Sequence, residues 1–236
     1  MDFILPDGST ATSANDWAKC LKQAYQWKEG ASAHALAHSW TNADGFPPKV
    51  KAVITAWREL ADLEPDTGYV ERETPMPAKG LPSCTDLLVI AESAGYPCVI
   101  AVEGKANERF GDATVAEWRK ASPNGDNTNR ENRLAMILQI IGLSHRTETI
   151  GTVRYQLLHR MAAAVIEATS KQHNAESAIL LVHSFASDAK QKQVNESDYL
   201  AFLREYGAEE TLEKLIPLGA ASGIMLYAAW VSDTIP

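Results

Sequence analysis

Residues 85–111 read TDLLVIAESAGYPCVIAVEGKANERFG. Two short apolar runs rich in branched side chains, residues 86–91 and 97–103, flank the turn signal Glu92-Ser93-Ala94-Gly95-Tyr96. Such runs around such a turn predict two paired antiparallel strands. With the turn centred on Ala94 and Gly95, opposed residues sum to 189, so Asp86 faces Glu103 with the side chains about 5 Å apart. Side chains two apart on a strand share a face, so Lys105 joins Glu103 while Val102 and Gly104 turn away. Cys84 falls cross-strand from Lys105 by the same count.

Facing carboxylates destabilise a hairpin unless positive charge lies between them, and a hard divalent cation such as Mg²⁺, with Mn²⁺ as substitute, is the usual remedy. A metal on two carboxylates activates water and screens a phosphodiester, and an ammonium beside it steadies developing charge or orients the water. Asp86 and Glu103 are therefore the candidate metal ligands and Lys105 the assisting cation. The competing reading is an exposed hairpin end with solvated charges, because E-x-K alone is a common triplet.

The stretch resembles the PD-(D/E)XK nuclease superfamily, in which an acid opens the second core strand and (D/E)-x-K closes the third. Asp86, Glu103 and Lys105 stand in those places, with Thr85 where the name-giving proline would be. The resemblance implies an α/β (α+β) restriction-endonuclease-like core, its mixed central sheet flanked by helices, a Mg²⁺-dependent site and cleavage of DNA or RNA. The succession SAHALAHSW (residues 32–40), VEGKANERFG (102–111), YQLLHR (155–160) and LVHSF (181–185) also looks like a family of bacterial and phage-associated proteins of unassigned function with the same core. That likeness covers most of the chain and supplies no substrate.

Two flanking segments fit this reading. Residues 69–74 alternate and end at Pro75-Met76-Pro77, predicting a first strand with Glu71 and Glu73 on one face. Glu71 sits where many superfamily members carry an extra acid, which makes it the preferred third carboxylate. Residues 152–169 carry a helical apolar period, with Gln156 and Arg160 four apart on one face. In several branches of the superfamily such a helix brings a glutamine or arginine over the active site, and Gln156 is the better match.

The remainder predicts scaffold. Residues 16–40 suggest two short helices broken near Gly30, with Ser32 capping the second, and Pro47-Pro48 opens another through Leu60. Helices are expected at 114–120 and 132–143, a buried central strand at 178–185, short helices at 199–206 and 209–216, and a last strand at 223–231 that closes the sheet. The expectation is one domain over residues 1–236, with N-terminal helices in 1–65 and the nuclease-like core in 66–236. Three scattered cysteines suit buried free thiols better than a disulfide framework or zinc. His34 and His38 have zinc spacing but lack an accompanying acid, and no G-x-S-x-G, P-loop or dinucleotide glycine pattern is present.

A net charge of −8 is a poor credential for holding a polyanion. Residues 103–160, however, carry nine Lys and Arg against seven Asp and Glu, so the acidity lies elsewhere. The polar, turn-rich segment 119–130 could approach nucleic acid or be a plain surface loop. No leader pattern opens the sequence, and no apolar run nears the about 18 residues of a membrane helix, so a cytoplasmic protein without membrane contact is expected. The primary expectation is a Mg²⁺-dependent phosphodiesterase acting on nucleic acid, DNA before RNA. The alternatives are a catalytically silent nuclease-fold protein that binds another protein, as an antitoxin, immunity or defence-system component, and a hydrolase of small phosphate esters.

Overall fold

The structure, a computed structural model, describes residues 1–120 and 127–236. Its frame is one mixed sheet of seven strands: β1 (Asp2–Ile4), β2 (Glu64–Thr74), β3 (Ser83–Ser93), β4 (Tyr96–Lys105), β5 (Ser177–Ser184), β6 (Leu215–Ala221) and β7 (Ile224–Ser232). They lie side by side as β1-β2-β3-β4-β5-β7-β6. β2, β3 and β4 form an antiparallel meander, β4, β5 and β7 run parallel, β1 joins β2 in parallel, and β6 returns antiparallel to β7.

The hairpin of β3 and β4 has the expected register, from Leu87↔Val102 to Ser93↔Tyr96. Its two-residue turn puts Ala94 and Gly95 at φ +51° and +86°, the left-handed pair whose twist matches paired strands. Alanine is strained there, because its Cβ crowds the next carbonyl. Ala94→Asn is expected to raise stability by about 0.5–1 kcal/mol, read as a higher urea midpoint at unchanged slope.

Among the described residues six α-helices accompany the sheet: α1 (Ser32–Thr41), α2 (Pro48–Ile54), α3 (Val115–Lys120), α4 (Thr128–Ile140), α5 (Tyr155–Ala168) and α6 (Ala189–Glu205). On one face α4, α5 and α6 pack against Leu88, Val99, Ala101, Leu180 and Val182. On the other, α1, α2 and the N-terminal segment pack against Leu87, Val89, Ile100, Val102 and Leu181. β5 is buried along its whole length, as a parallel strand covered on both faces must be. In α5 the buried run Ala162-Ala163-Ala164 has minimal side chains, which lets the helix lie close on β4 and β5.

Several expectations need correction. Residues 14–20 and 24–26 form 3-10 turns, and Ser32 is the first residue of α1, with Ala31 as a cap that makes no side-chain hydrogen bond. The N-terminal stretch also contains β1, which the sequence does not announce because three residues show no period. The expected helix at 209–216 is absent: Leu215-Ile216 open β6, a short apolar run that period alone does not assign. β7 is therefore interior and β6 forms the edge. Cys98 is buried, whereas Cys20 and Cys84 are only partly so.

Candidate active site

The ladder between β3 and β4 stops at Leu87↔Val102, one residue short of the acidic pair. Asp86 takes over the next bond, its Oδ2 accepting from the Gly104 amide at 2.9 Å. A Cβ at Gly104 would lie 3.4 Å from the Leu36 side chain and 3.5 Å from Asp86 Oδ2, in ordinary van der Waals contact with both. The splayed strands open a cleft of about 650 Å³. Glu71, Asp86, Glu103 and Lys105 line one wall, and Lys22, Tyr25, Lys28 and the start of α1 line the other.

Glu103 lies at the floor, 1% exposed. Its Oε1 accepts from Lys105 Nζ at 2.6 Å and Gln156 Nε2 at 2.7 Å, and its Oε2 accepts from Arg160 Nε. Gln156 and Arg160 reach it together because residues four apart on α5 share a face. Arg160 does more than the sequence suggests: Nη1 donates to Ser83 Oγ at 2.9 Å and Nη2 stands 3.8 Å from Asp86 Oδ1. Ser83 Oγ in turn pairs with His159 Nδ1 at 2.8 Å. The i, i+4 spacing with Gln156 was the available signal for Arg160; nothing in the sequence pointed to Ser83.

Glu71 comes to the same cleft by an unusual route. Its neighbours pair as Val70↔Leu87 and Arg72↔Thr85, so Glu71, Asp86 and Glu103 fall in one row across β2, β3 and β4. Glu71 itself has φ +49°, a left-handed backbone that is rare inside a strand and clusters at functional sites. Its Oε2 accepts from Cys84 Sγ at 3.1 Å. Glu73, the other candidate on that strand, faces Lys22 at 3.5 Å on the exposed side.

The electrostatics split the three acids. Burial opposes charge on Glu103, but the Arg160 and Lys105 cations pull its carboxyl down to about 2. Burial, reinforced by the negative charge of Glu103, pushes Asp86 well above the usual carboxylate range, and burial likewise raises Glu71. Burial also works against the Lys105 ammonium, yet Glu103 and Asp86 hold it charged beyond the usual lysine range. Glu103 therefore contributes stability above the unfolded carboxylate range that is lost as pH falls through its folded value. Asp86 works in the opposite sense, its contribution present in acid and lost as pH rises from about 4 through its raised folded value.

Asp86→Asn is accordingly expected to raise the melting temperature of the metal-free protein at neutral pH, by about 2–4 °C per kcal/mol of relieved repulsion. The advantage should shrink toward pH 3.5, and a variant that melts lower at neutral pH would contradict this account of Asp86.

The donor set suits a hard divalent cation. Asp86 Oδ1 accepts no hydrogen bond among the described residues, and Glu103 keeps lone pairs beyond the three contacts it makes. No group of three His, Cys, Asp or Glu assembles as a ligand set among the described residues, so an ion held by two carboxylates would complete its shell with water and substrate oxygens, as Mg²⁺ does.

The other sequence candidates lie elsewhere. The His34 and His38 rings lie tilted with centroids 4.3 Å apart beside Trp27, an aromatic packing arrangement. His183 accepts from Trp40 Nε1 at 3.2 Å within the core. Of the basic segment 119–130, residues 121–126 lie outside the described residues, while Arg119 pairs with Glu131 at 3.1 Å. Among the described residues no helix is long and apolar enough to cross a membrane.

A family model described as a domain of unknown function, DUF6946, matches residues 10–235. No curated protein and no solved structure matches the chain.

Proposed function

The chain belongs to the DUF6946 family, and we propose that its splayed hairpin is the active site of a metal-dependent phosphodiesterase acting on nucleic acid. The observation that carries the reading is the convergence of Asp86, Glu103 and Lys105 in one cleft, with Gln156 and Arg160 fixing Glu103 from above. Asp86 and Glu103 would hold Mg²⁺ or Mn²⁺, and Glu71, in the same row but not assembled with them as a third ligand, would meet the ion through water. When bound, the ion supplies Lewis acidity to the phosphate and lowers the pKa of water.

The protein's own side chains then have distinct tasks. Lys105 Nζ, held by Glu103 Oε1, stands where it can donate to a nonbridging phosphate oxygen or align the attacking water. Gln156 and Arg160 lock the Glu103 rotamer, so the carboxylate needs no reorganisation when substrate arrives. Water forms the new P–O bond as the bond to the departing ribose oxygen breaks. Bulk water entering the open cleft takes the proton of the attacking water, and a second solvent water protonates the departing sugar oxygen.

The net charge of −8 favours a second reading, a non-catalytic module that keeps this site for stability and binds a basic protein. Calorimetric titration of Mg²⁺ and Mn²⁺ into wild type and Glu103→Ala, with cleavage of supercoiled DNA, single-stranded DNA and RNA followed in the same samples, separates the two. Metal-dependent cutting that the variant lacks is the expected result. Absence of metal binding in wild type would sink the catalytic reading in favour of the module.

A further inference from the structure

Behind Arg160 lies a second cavity, of about 470 Å³, whose charge contrasts with that of the whole molecule. Lys79, Arg130 and Arg133 line it together with His159, and no Asp or Glu does so among the described residues. Arg133 is 8% exposed: its Nε donates to the Tyr155 hydroxyl at 3.0 Å and its Nη2 to the Leu81 carbonyl. Its Nη1 is buried without a hydrogen-bond partner among the described residues. A buried guanidinium donor left unpaired is costly and needs an explanation.

Gly80 packs against that donor: at φ +148° a Cβ there would fall 2.6 Å from Arg133 Nη1, so glycine is what leaves the guanidinium its place beside the recess. His159 adds a second donor. Arg160 Nη1 donates to Ser83 Oγ, and in the tautomer where the Ser83 hydroxyl donates on to His159 Nδ1 the ring proton sits on Nε2. Burial, then the Arg160 cation, holds His159 neutral, with its pKa lowered to about 3, so it serves as a hydrogen-bond donor and not as a charge. The aromatic lining is already spent on itself, with Trp118 and Tyr155 stacked at 4.0 Å, so it offers a rigid rim and not a platform for a base.

We propose that this cavity binds a phosphate group, through Arg133, Lys79 and the His159 ring. A planar guanidinium and a neutral imidazole donor in a small cationic recess match a tetrahedral oxyanion. The hydrogen-bonded chain His159–Ser83–Arg160–Glu103 separates it from the carboxylate cleft. A backbone phosphate of a nucleic-acid strand, a free phosphate and a phosphomonoester all present the oxyanion chemistry that this recess would take. The proposal stands apart from cleavage, since it concerns binding alone.

The test follows the Trp118 indole N–H resonance, assigned with Trp118→Phe, while inorganic phosphate and then a single-stranded DNA 12-mer are titrated in EDTA. Anisotropy gives the 12-mer affinity of wild type, Arg133→Gln, Lys79→Gln and Glu103→Gln. Movement of the Trp118 signal by phosphate alone assigns the site to free phosphate, and movement by the 12-mer assigns it to a strand. Either result supports the site if Arg133→Gln weakens the active ligand by about ten- to a hundredfold. Should Arg133→Gln fail to fold, Lys79→Gln, at an exposed position, is expected to lower the log–log salt slope of 12-mer binding by about 0.7–0.9. An unmoved Trp118 signal with both ligands, or wild-type binding in both variants, overturns the proposal. Glu103→Gln should lose cutting and keep this binding, so the phosphate site and the nuclease reading fail separately.

Discussion

Under the proposed nuclease function, Lys105→Met is expected to slow Mg²⁺-dependent phosphodiester cleavage by about 10²–10³-fold, the effect of removing one preorganised donor from a transition state. The loss should fall on kcat with KM nearly unchanged, because binding of a long strand is spread over many phosphates. Methionine fills the lysine's volume, and Glu103 keeps Arg160 and Gln156 as partners, so the fold should survive. Circular dichroism and the melting temperature check that point in the same preparation. Full activity in Lys105→Met would remove the ammonium from the chemistry and leave it a structural counter-ion of Glu103.

Arg160→Met is expected to produce the largest loss of stability, about 3–5 kcal/mol, because it strips a guanidinium from a carboxylate buried with it. Three contacts go at once: to Glu103 Oε2, to Ser83 Oγ and, across 3.8 Å, to Asp86. Adding Glu103→Gln removes the carboxylate that Arg160 no longer neutralises but leaves the Lys105 ammonium without its counter-ion, so the double variant should lose less than the sum of the two single losses. The coupling in that urea-denaturation cycle should lie at about 0.5–3 kcal/mol. A strictly additive double variant would mean that Arg160 and Glu103 do not act as a pair. Arg160→Lys should fall between, since an ammonium keeps the charge and loses the fork.

How far the sequence exposes this molecule depends on how local each determinant is. The β3–β4 register was legible because a two-residue turn leaves one pairing for the strands beside it, and Asp86 opposite Glu103 follows from it. Gln156 and Arg160 were legible as one face of a helix, though not as the two arms that hold Glu103. The first half of α6 was missed because residues 189–196, AKQKQVNE, carry no apolar period; the expected helix began at Tyr199, where Tyr199, Phe202 and Leu203 turn to the core. Ser83 and His159 could not be joined from the chain, since 76 residues separate them and only the docking of α5 brings them together. The backbone inversion at Glu71 was equally hidden, for a glutamate at left-handed φ leaves no mark in composition.

The site's acids and its cations also arrive at different times. Asp86 and Glu103 belong to a hairpin that can close by itself, whereas Arg160 follows Glu103 by 57 residues. At a translation rate of about 5–20 residues per second, the ribosome makes the carboxylates about 3–11 s before the arginine that neutralises them. Until α5 emerges, the growing chain carries a row of facing acids with only Lys105 beside it, so hairpin closure is opposed by its own charge. The cleft is consequently a late product of synthesis, and a chain released before residue 160 has the facing carboxylates without the arginine that holds Glu103 in place.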